Sequence, residues 1–327
     1  MDINLIAVKN FFEQIIKNRD LLYIIQPCSI GDVLYAGGLS HAVQKRKNKM
    51  GTVLVVLERM RNLAITYQNL AGIVYLPSFM AGITQIYFHA TGDYEGDNYI
   101  YGHIRKEGND QIWDEDLNLL DQYKKNIFNI PLDTEFLPPI VQSISEENIA
   151  ELNSKYILDK YRTIILFPHA NTLKIFVANF WEKLVAELKA RGYIVYTNTD
   201  GTSEKPIAGT EAISTNFREL AYIADKIKCF IGLRSGVFDF LAMTNAKILN
   251  INTFAKWWHC DLSVIFPKCN SRTFYDAVNY IKPIQNYLQQ EKVNAGMVLS
   301  HPKINPEDIF YSYEDILKGI LYDVEKM

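Results

Sequence analysis

The stretch "FIGLRSGVFDFLA", residues 230–242, carries an apolar, strand-like run into Arg234, Ser235 and Gly236, then resumes with helical spacing. A permanent charge at such a junction calls for a partner. One candidate is a ligand phosphate. The N–H groups that open a helix, and its positive dipole end, attract anions. Ser235 offers a hydroxyl, and Gly236 lets a phosphate approach the backbone. The other candidate is a carboxylate of the chain itself, Asp239 or Asp225, with Ser235 only capping the helix. A second stretch of this kind is "PHANTLK", residues 168–174, after the apolar run "IILF". Lys174 adds charge there, and His169 is either a ligand contact or ordinary surface. Arg234, Ser235, Gly236 and Lys174 together read as a diphosphate cradle that needs no metal.

The first half offers "SIGDVLYAGG", residues 29–38. Asp32 stands after a strand and near a helix start. As an N-cap it is purely structural. As a general base it can take a proton from a hydroxyl.

Other chemistries lack their signatures. The chain has no G-x-x-x-x-G-K-[ST] and no G-x-G-x-x-G after a first strand, and H-E-x-x-H and G-x-S-x-G are also missing. Cysteines stand at 28, 229, 260 and 269 without a C-x-x-C pair, so no zinc or redox motif is signalled. Cys28 and Cys229, beside apolar runs, read as buried thiols suited to a reducing, cytoplasmic setting. The net charge is −3, which does not suggest nucleic acid as a partner. "KRKNK" at 45–49 reads as a solvated helix end. No apolar run approaches the ~18 residues of a membrane span, and association with the inner membrane face stays open.

These residues need elements to position them. With 327 residues, 48% apolar and 22% charged, the chain has the composition and length of about two globular domains. Continuous apolar runs at 21–26, 51–58 and 72–77 predict buried strands, and "QIYFHA" at 85–90 is a further strand candidate. Residues 4–18 and 114–128 read as helices. In the second half, strands and helices alternate with short connections. "NFWEKLVAELKARG" predicts a helix with Asn179 as N-cap and Gly192 as its stop. Asn216 and Glu219 are spaced as a capping box. The economical reading is α/β: two Rossmann-like domains with parallel sheets facing across a cleft. The boundary falls at 155/156 (1–155 and 156–327), and the C-terminal helix is expected to pack back on the first domain.

Three segments resemble the heptosyltransferase-like glycosyltransferases, glycosyltransferase family 9. They are "IIQPCSIGDVLYAGGLSHAVQ", "IILFPHANTLKIFVANFWEKLVAELKARGYIVY" and "NFRELAYIADKIKCFIGLRSGVFDFLAMTNAKILNIN". The resemblance implies the GT-B fold and transfer of a sugar from a nucleotide-diphosphate donor to a glycan or glycoconjugate hydroxyl. Transfer is expected with inversion and without a metal or other cofactor. It implies Asp32 as base, Lys174 as a phosphate contact, and Ser235 and Gly236 as donors to the diphosphate. Arg234 replaces the family's usual acid, and Asp239 stands where a histidine is expected. Asp239 then either reads the nucleoside with His169 or orients Arg234. The nucleobase stays open, GDP- and UDP-sugars alongside ADP-heptose. The segment "GDYEGDNYIYGHIRKEG", with His103 and Arg105, is the candidate acceptor contact or a surface loop. "KWWHC" at 256–260 either walls the nucleobase or packs. A nucleotide-sugar epimerase or hydrolase of the same fold, or a non-catalytic nucleotide-sugar or glycan binder, is the alternative.

Overall fold

The computed structural model describes residues 5–107, 110–111, 114, 116–170, 178–252, 261–276, 306–310 and 312–327. Lys174 and "KWWHC" lie outside the described residues. The chain divides into two compact units, Met1–Gln142 and Ser143–Met327. The helix at Glu146–Lys155 falls in the second unit. Among the described residues, no helix is long and apolar enough to cross a membrane.

The first unit begins with α1 (Leu5–Ile15), β1 (Leu21–Gln26), α2 (Ile30–Arg46), β2 (Gly51–Leu57), α3 (Arg61–Ala64), β3 (Gly72–Leu76), α4 (Met80–Thr91) and β4 (Tyr99–Tyr101). The strands form one parallel sheet in the order β3-β2-β1-β4. β2 is buried along its whole length, as an unbroken aliphatic strand covered on both faces must be. A two-residue antiparallel hairpin follows, β5 (Lys106–Glu107) with β6 (Asp110–Gln111). Then α5 (Leu119–Gln122) runs into a π-helical turn, Tyr123–Ile127.

Two expectations change here. "QIYFHA" is the second half of α4, not a strand. A short apolar run has no period of its own to separate the two, and the deciding context is the longer run from Met80. The basic run at 45–49 is not simply solvated. Arg46 and Lys47 both pair with Glu95, at 2.6 and 3.1 Å, and Lys49 pairs with Asp97 at 3.0 Å. The acidic turn after α4 neutralises the end of α2.

The second unit comprises α6 (Glu146–Lys155), β7 (Thr163–Phe167), α7 (Ala178–Ala190), β8 (Ile194–Asn198), β9 (Glu211–Ile213), α8 (Phe217–Ile223), β10 (Cys229–Leu233), α9 (Gly236–Ala242), β11 (Lys247–Asn252), α10 (Leu262–Ile265), β12 (Asn270–Asp276), β13 (Ile309–Phe310) and α11 (Tyr313–Lys326). Its parallel sheet has the order β13-β12-β11-β10-β7-β8-β9. Asn216 and Glu219 form the expected capping box on α8. Gly192, at φ 83°, ends α7 as expected. Asn179 does not cap that helix; it lies inside the first turn of α7. The C-terminal helix fills the second unit's core. Ile316, Ile320, Leu321 and Val324 join Trp181, Leu184 and Leu188 in one apolar cluster.

Gly232 lets the two central strands approach. It sits opposite Phe167, and a Cβ there would lie 2.5 Å from both the Cβ and the carbonyl oxygen of Phe167. Backbone cannot yield as a side-chain tip does. Gly232→Ala is therefore expected to lower stability by about 1–3 kcal/mol, read as a shift of the urea midpoint.

Candidate functional site

In the first unit the strand order reverses between β1 and β4. Open parallel sheets bind ligands outside the carboxyl ends of their strands, at such a switch point. Cys28, Ser29 and Asp32 follow β1, and His103 and Arg105 follow β4. The fully buried Gln26 joins the two loops. Its amide donates to the Gly102 carbonyl, and its oxygen accepts the Cys28 N–H at 3.2 Å.

Asp32 is half-buried in the first turn of α2. Its Oδ2 accepts the N–H and the hydroxyl of Ser29, at 3.0 and 2.6 Å. Its Oδ1 accepts the Tyr123 hydroxyl at 2.5 Å. The N-cap of α2 is thus Ser29 and not Asp32, which stands at the third helical position. Tyr123, 91 residues away in sequence, was not foreseen. It opens the π-helical turn, a distortion frequent at functional sites. Its ring packs against Tyr35 and Phe128, at 5.0 and 5.9 Å between centroids. Burial, reinforced by the Asp32 charge, pushes the Tyr123 phenol well up, so it remains a proton donor to the carboxylate. An ionised carboxylate has about four acceptor sites. Three donors fix the orientation of this one and leave it able to receive a further proton.

His103 joins this centre, its Nε2 lying 4.0 Å from Asp32 Oδ1. Cys28 lies there too, its sulfur accepting from Gln85 Nε2 at 3.0 Å. Burial pushes the Cys28 thiol well up, and the neighbouring Asp32 adds to the effect. Arg105 is committed elsewhere. It donates to Glu95 at 3.2 Å and to the Ile127 carbonyl at 2.5 Å. These bonds make Arg105 a brace between the acidic turn and the π-helical turn. A surface cleft of about 410 Å³ opens beside α1, lined by Lys9, Phe12, Tyr87 and Tyr99 among others. Its walls carry none of the predicted site residues.

In the second unit the order reverses between β7 and β10. His169 follows β7, and Arg234, Ser235 and Gly236 follow β10. His169 Nε2 lies 3.3 Å from the Lys205 carbonyl. Ser235 is the N-cap residue of α9, and its side chain makes no capping hydrogen bond. The N–H groups of Gly236 and Val237 open the helix and have no partner within it. The fork of Arg234 meets Asp239. Nη2 donates to Asp239 Oδ1 at 2.6 Å, and Nη1 donates to Asp239 Oδ2 at 3.0 Å and to the Ser235 carbonyl at 2.7 Å. Arg234 is 9% exposed and Asp239 2%. The pair bears on two expectations, Arg234 as a direct diphosphate contact and Asp239 as a reader of the nucleoside. A bidentate pair this buried consumes the carboxylate and the face of the guanidinium that meets it. In this geometry Asp239 orients Arg234.

No protein-family model matches the sequence, and comparison with characterised protein sequences gives no match. Solved structures do match. A glycosyl transferase family 9 protein from Veillonella parvula superposes with a TM-score of 0.57 at 10% identity, over 94% of this chain and 97% of that one. ADP-heptose LPS heptosyltransferase II of E. coli superposes with a TM-score of 0.52 at 14% identity, over 78% of this chain and 89% of that one. At such identities the likeness is one of fold. The chain is an α/β protein with two parallel sheets, and it shares the fold of these two glycosyltransferases.

Proposed function

We propose that this chain is a glycosyltransferase. It moves a sugar from a nucleotide-diphosphate donor to a hydroxyl of a glycan or glycoconjugate, with inversion and without metal assistance. The observation that carries the reading is Asp32: a carboxylate at the switch point of the first sheet, oriented by Ser29 and Tyr123. The fold shared with sugar-transferring enzymes supports it.

In this mechanism Asp32 takes the acceptor's proton as the hydroxyl oxygen attacks the anomeric carbon. The bond from that carbon to the donor phosphate breaks, and the electron pair leaves with the nucleotide diphosphate. One displacement inverts the anomeric centre. On the second unit, the N–H groups of Gly236 and Val237 and the Ser235 hydroxyl receive the departing charge. Donors fixed in place before the reaction act there without reorganising. Arg234 acts through its pair with Asp239, which holds the turn from β10 into α9. His169 and Lys174 remain candidates on the donor side, and His103 remains one beside the acceptor. The nucleobase, ADP-, GDP-, UDP- or CDP-linked, is open, and so is peripheral contact with a membrane.

The test is thermal denaturation of the full chain with each nucleotide diphosphate and its sugars, with and without EDTA. One class at 100 times its dissociation constant adds about 2.7 kcal/mol, or roughly 5–10 °C for units of this size. EDTA leaves the shift unchanged. If no nucleotide diphosphate moves the transition, the reading fails.

A further inference from the structure

Cys28, Asp32 and His103 bring a thiol sulfur, a carboxylate oxygen and a ring nitrogen within 4.8 Å of one another. No sequence motif announces this, because the three come from two segments far apart in sequence, those that follow β1 and β4, joined through Gln26. His103 Nε2 and Asp32 Oδ1 are 4.0 Å apart, too far for a hydrogen bond. An ion with bonds of about 2.0–2.3 Å holds tetrahedral ligands about 3.3–3.6 Å apart. Side-chain adjustments of about an ångström therefore close the set. Sulfur, imidazole and carboxylate together suit zinc and not magnesium or calcium, which favour oxygen alone. Three protein ligands leave a fourth position open.

The outer layer is also of the kind that metal sites use. Gln85 Nε2 donates to the sulfur at 3.0 Å. Ser29 and Tyr123 donate to the carboxylate. His103 turns Nε2 toward Asp32 at 4.0 Å; its Nδ1 is buried without a hydrogen-bond partner among the described residues, the one part of the outer layer that departs from this pattern.

We propose that Cys28, Asp32 and His103 bind one zinc-class divalent ion. Where Asp32 is the base, as proposed above, the ion takes the lone pair that the acceptor's proton needs. The site is then inhibitory, and transfer by the ion-free protein is compatible with it.

The experiment titrates Zn²⁺ into the full chain against a chromophoric chelator, with Mg²⁺ in parallel. Wild type binds one equivalent of Zn²⁺ and no Mg²⁺ at the same concentration. Cys28→Ser and His103→Gln each weaken binding by at least about tenfold, while Cys269→Ser, in the second unit, leaves it unchanged. Circular dichroism and the melting temperature establish that each variant is folded. Absence of stoichiometric zinc binding by folded wild type, or equal affinity in the Cys28 and His103 variants, overturns the site. A zinc titration of sugar transfer separates the two claims. Inhibition of wild type but not of Cys28→Ser supports both. Tight binding with transfer untouched keeps the site and removes Asp32 as base. No binding, with transfer still dependent on Asp32, does the reverse.

Discussion

Asp32→Asn is expected to lower turnover about 10²- to 10⁴-fold, the usual contribution of a positioned general base, while the protein stays folded. The substitution keeps the shape of the side chain. The amide oxygen still accepts both bonds from Ser29, which now come from the N–H and hydroxyl that face Oδ2 at 3.0 and 2.6 Å. The amide nitrogen replaces Oδ1 opposite the Tyr123 hydroxyl, so that phenol must turn and accept. The loss is one bond to a charged acceptor, about 1.5–3 kcal/mol at most, or several degrees in melting temperature. A purely structural Asp32 therefore predicts a modest thermal shift with turnover intact. A base predicts the opposite proportion. Initial rates with the nucleotide sugar that most stabilises the protein, set beside calorimetry of wild type and Asp32→Asn, decide between them. Turnover within a few-fold of wild type would remove Asp32 from the chemistry.

The parts of this arrangement that sequence made legible are those set by local patterns. The runs "LLYIIQ", "GTVLVVL" and "CFIGL" are strands because unbroken aliphatic stretches of that length fit a sheet covered on both faces. The α8 cap could be read because Asn216 and Glu219 bond one another's backbone three residues apart. Asp32 could be found because a carboxylate just after a first strand is conspicuous. Its partner could not. Tyr123 sits in "DQYKKNIF", which reads as ordinary helix, and only tertiary packing turns it into a π-helical turn aimed at Asp32. The Arg105 brace was hidden for the same reason: nothing local ties it to Glu95, ten residues before it. The metal-ligand trio was hidden because its spacing is spatial and not sequential.

Arg234 makes the second large prediction. Arg234→Ala is expected to destabilise the second unit by about 3–5 kcal/mol. Asp239, 2% exposed, would lose both bonds of its bidentate guanidinium partner, and the Ser235 carbonyl would lose its 2.7 Å donor. Replacing both partners with apolar residues of similar volume, Arg234→Met with Asp239→Leu, is expected to recover most of the loss, because two desolvation costs disappear with the pair. Denaturant midpoints of the two single variants and the double variant measure the coupling directly. The same three proteins decide what the arginine is for. If the pair only braces the turn from β10 into α9, the stable double variant binds the nucleotide diphosphate nearly as well as wild type. The donors in that case are the N–H groups of Gly236 and Val237 and the hydroxyl of Ser235, and none of them has changed. If a face of the guanidinium also meets the ligand, the double variant recovers its stability and still loses affinity by tenfold or more, since hydrogen bonds to charged groups contribute about 1.5–3 kcal/mol each. Stability and affinity falling and recovering together would assign Arg234 to the frame; recovery of stability alone would return it to the site.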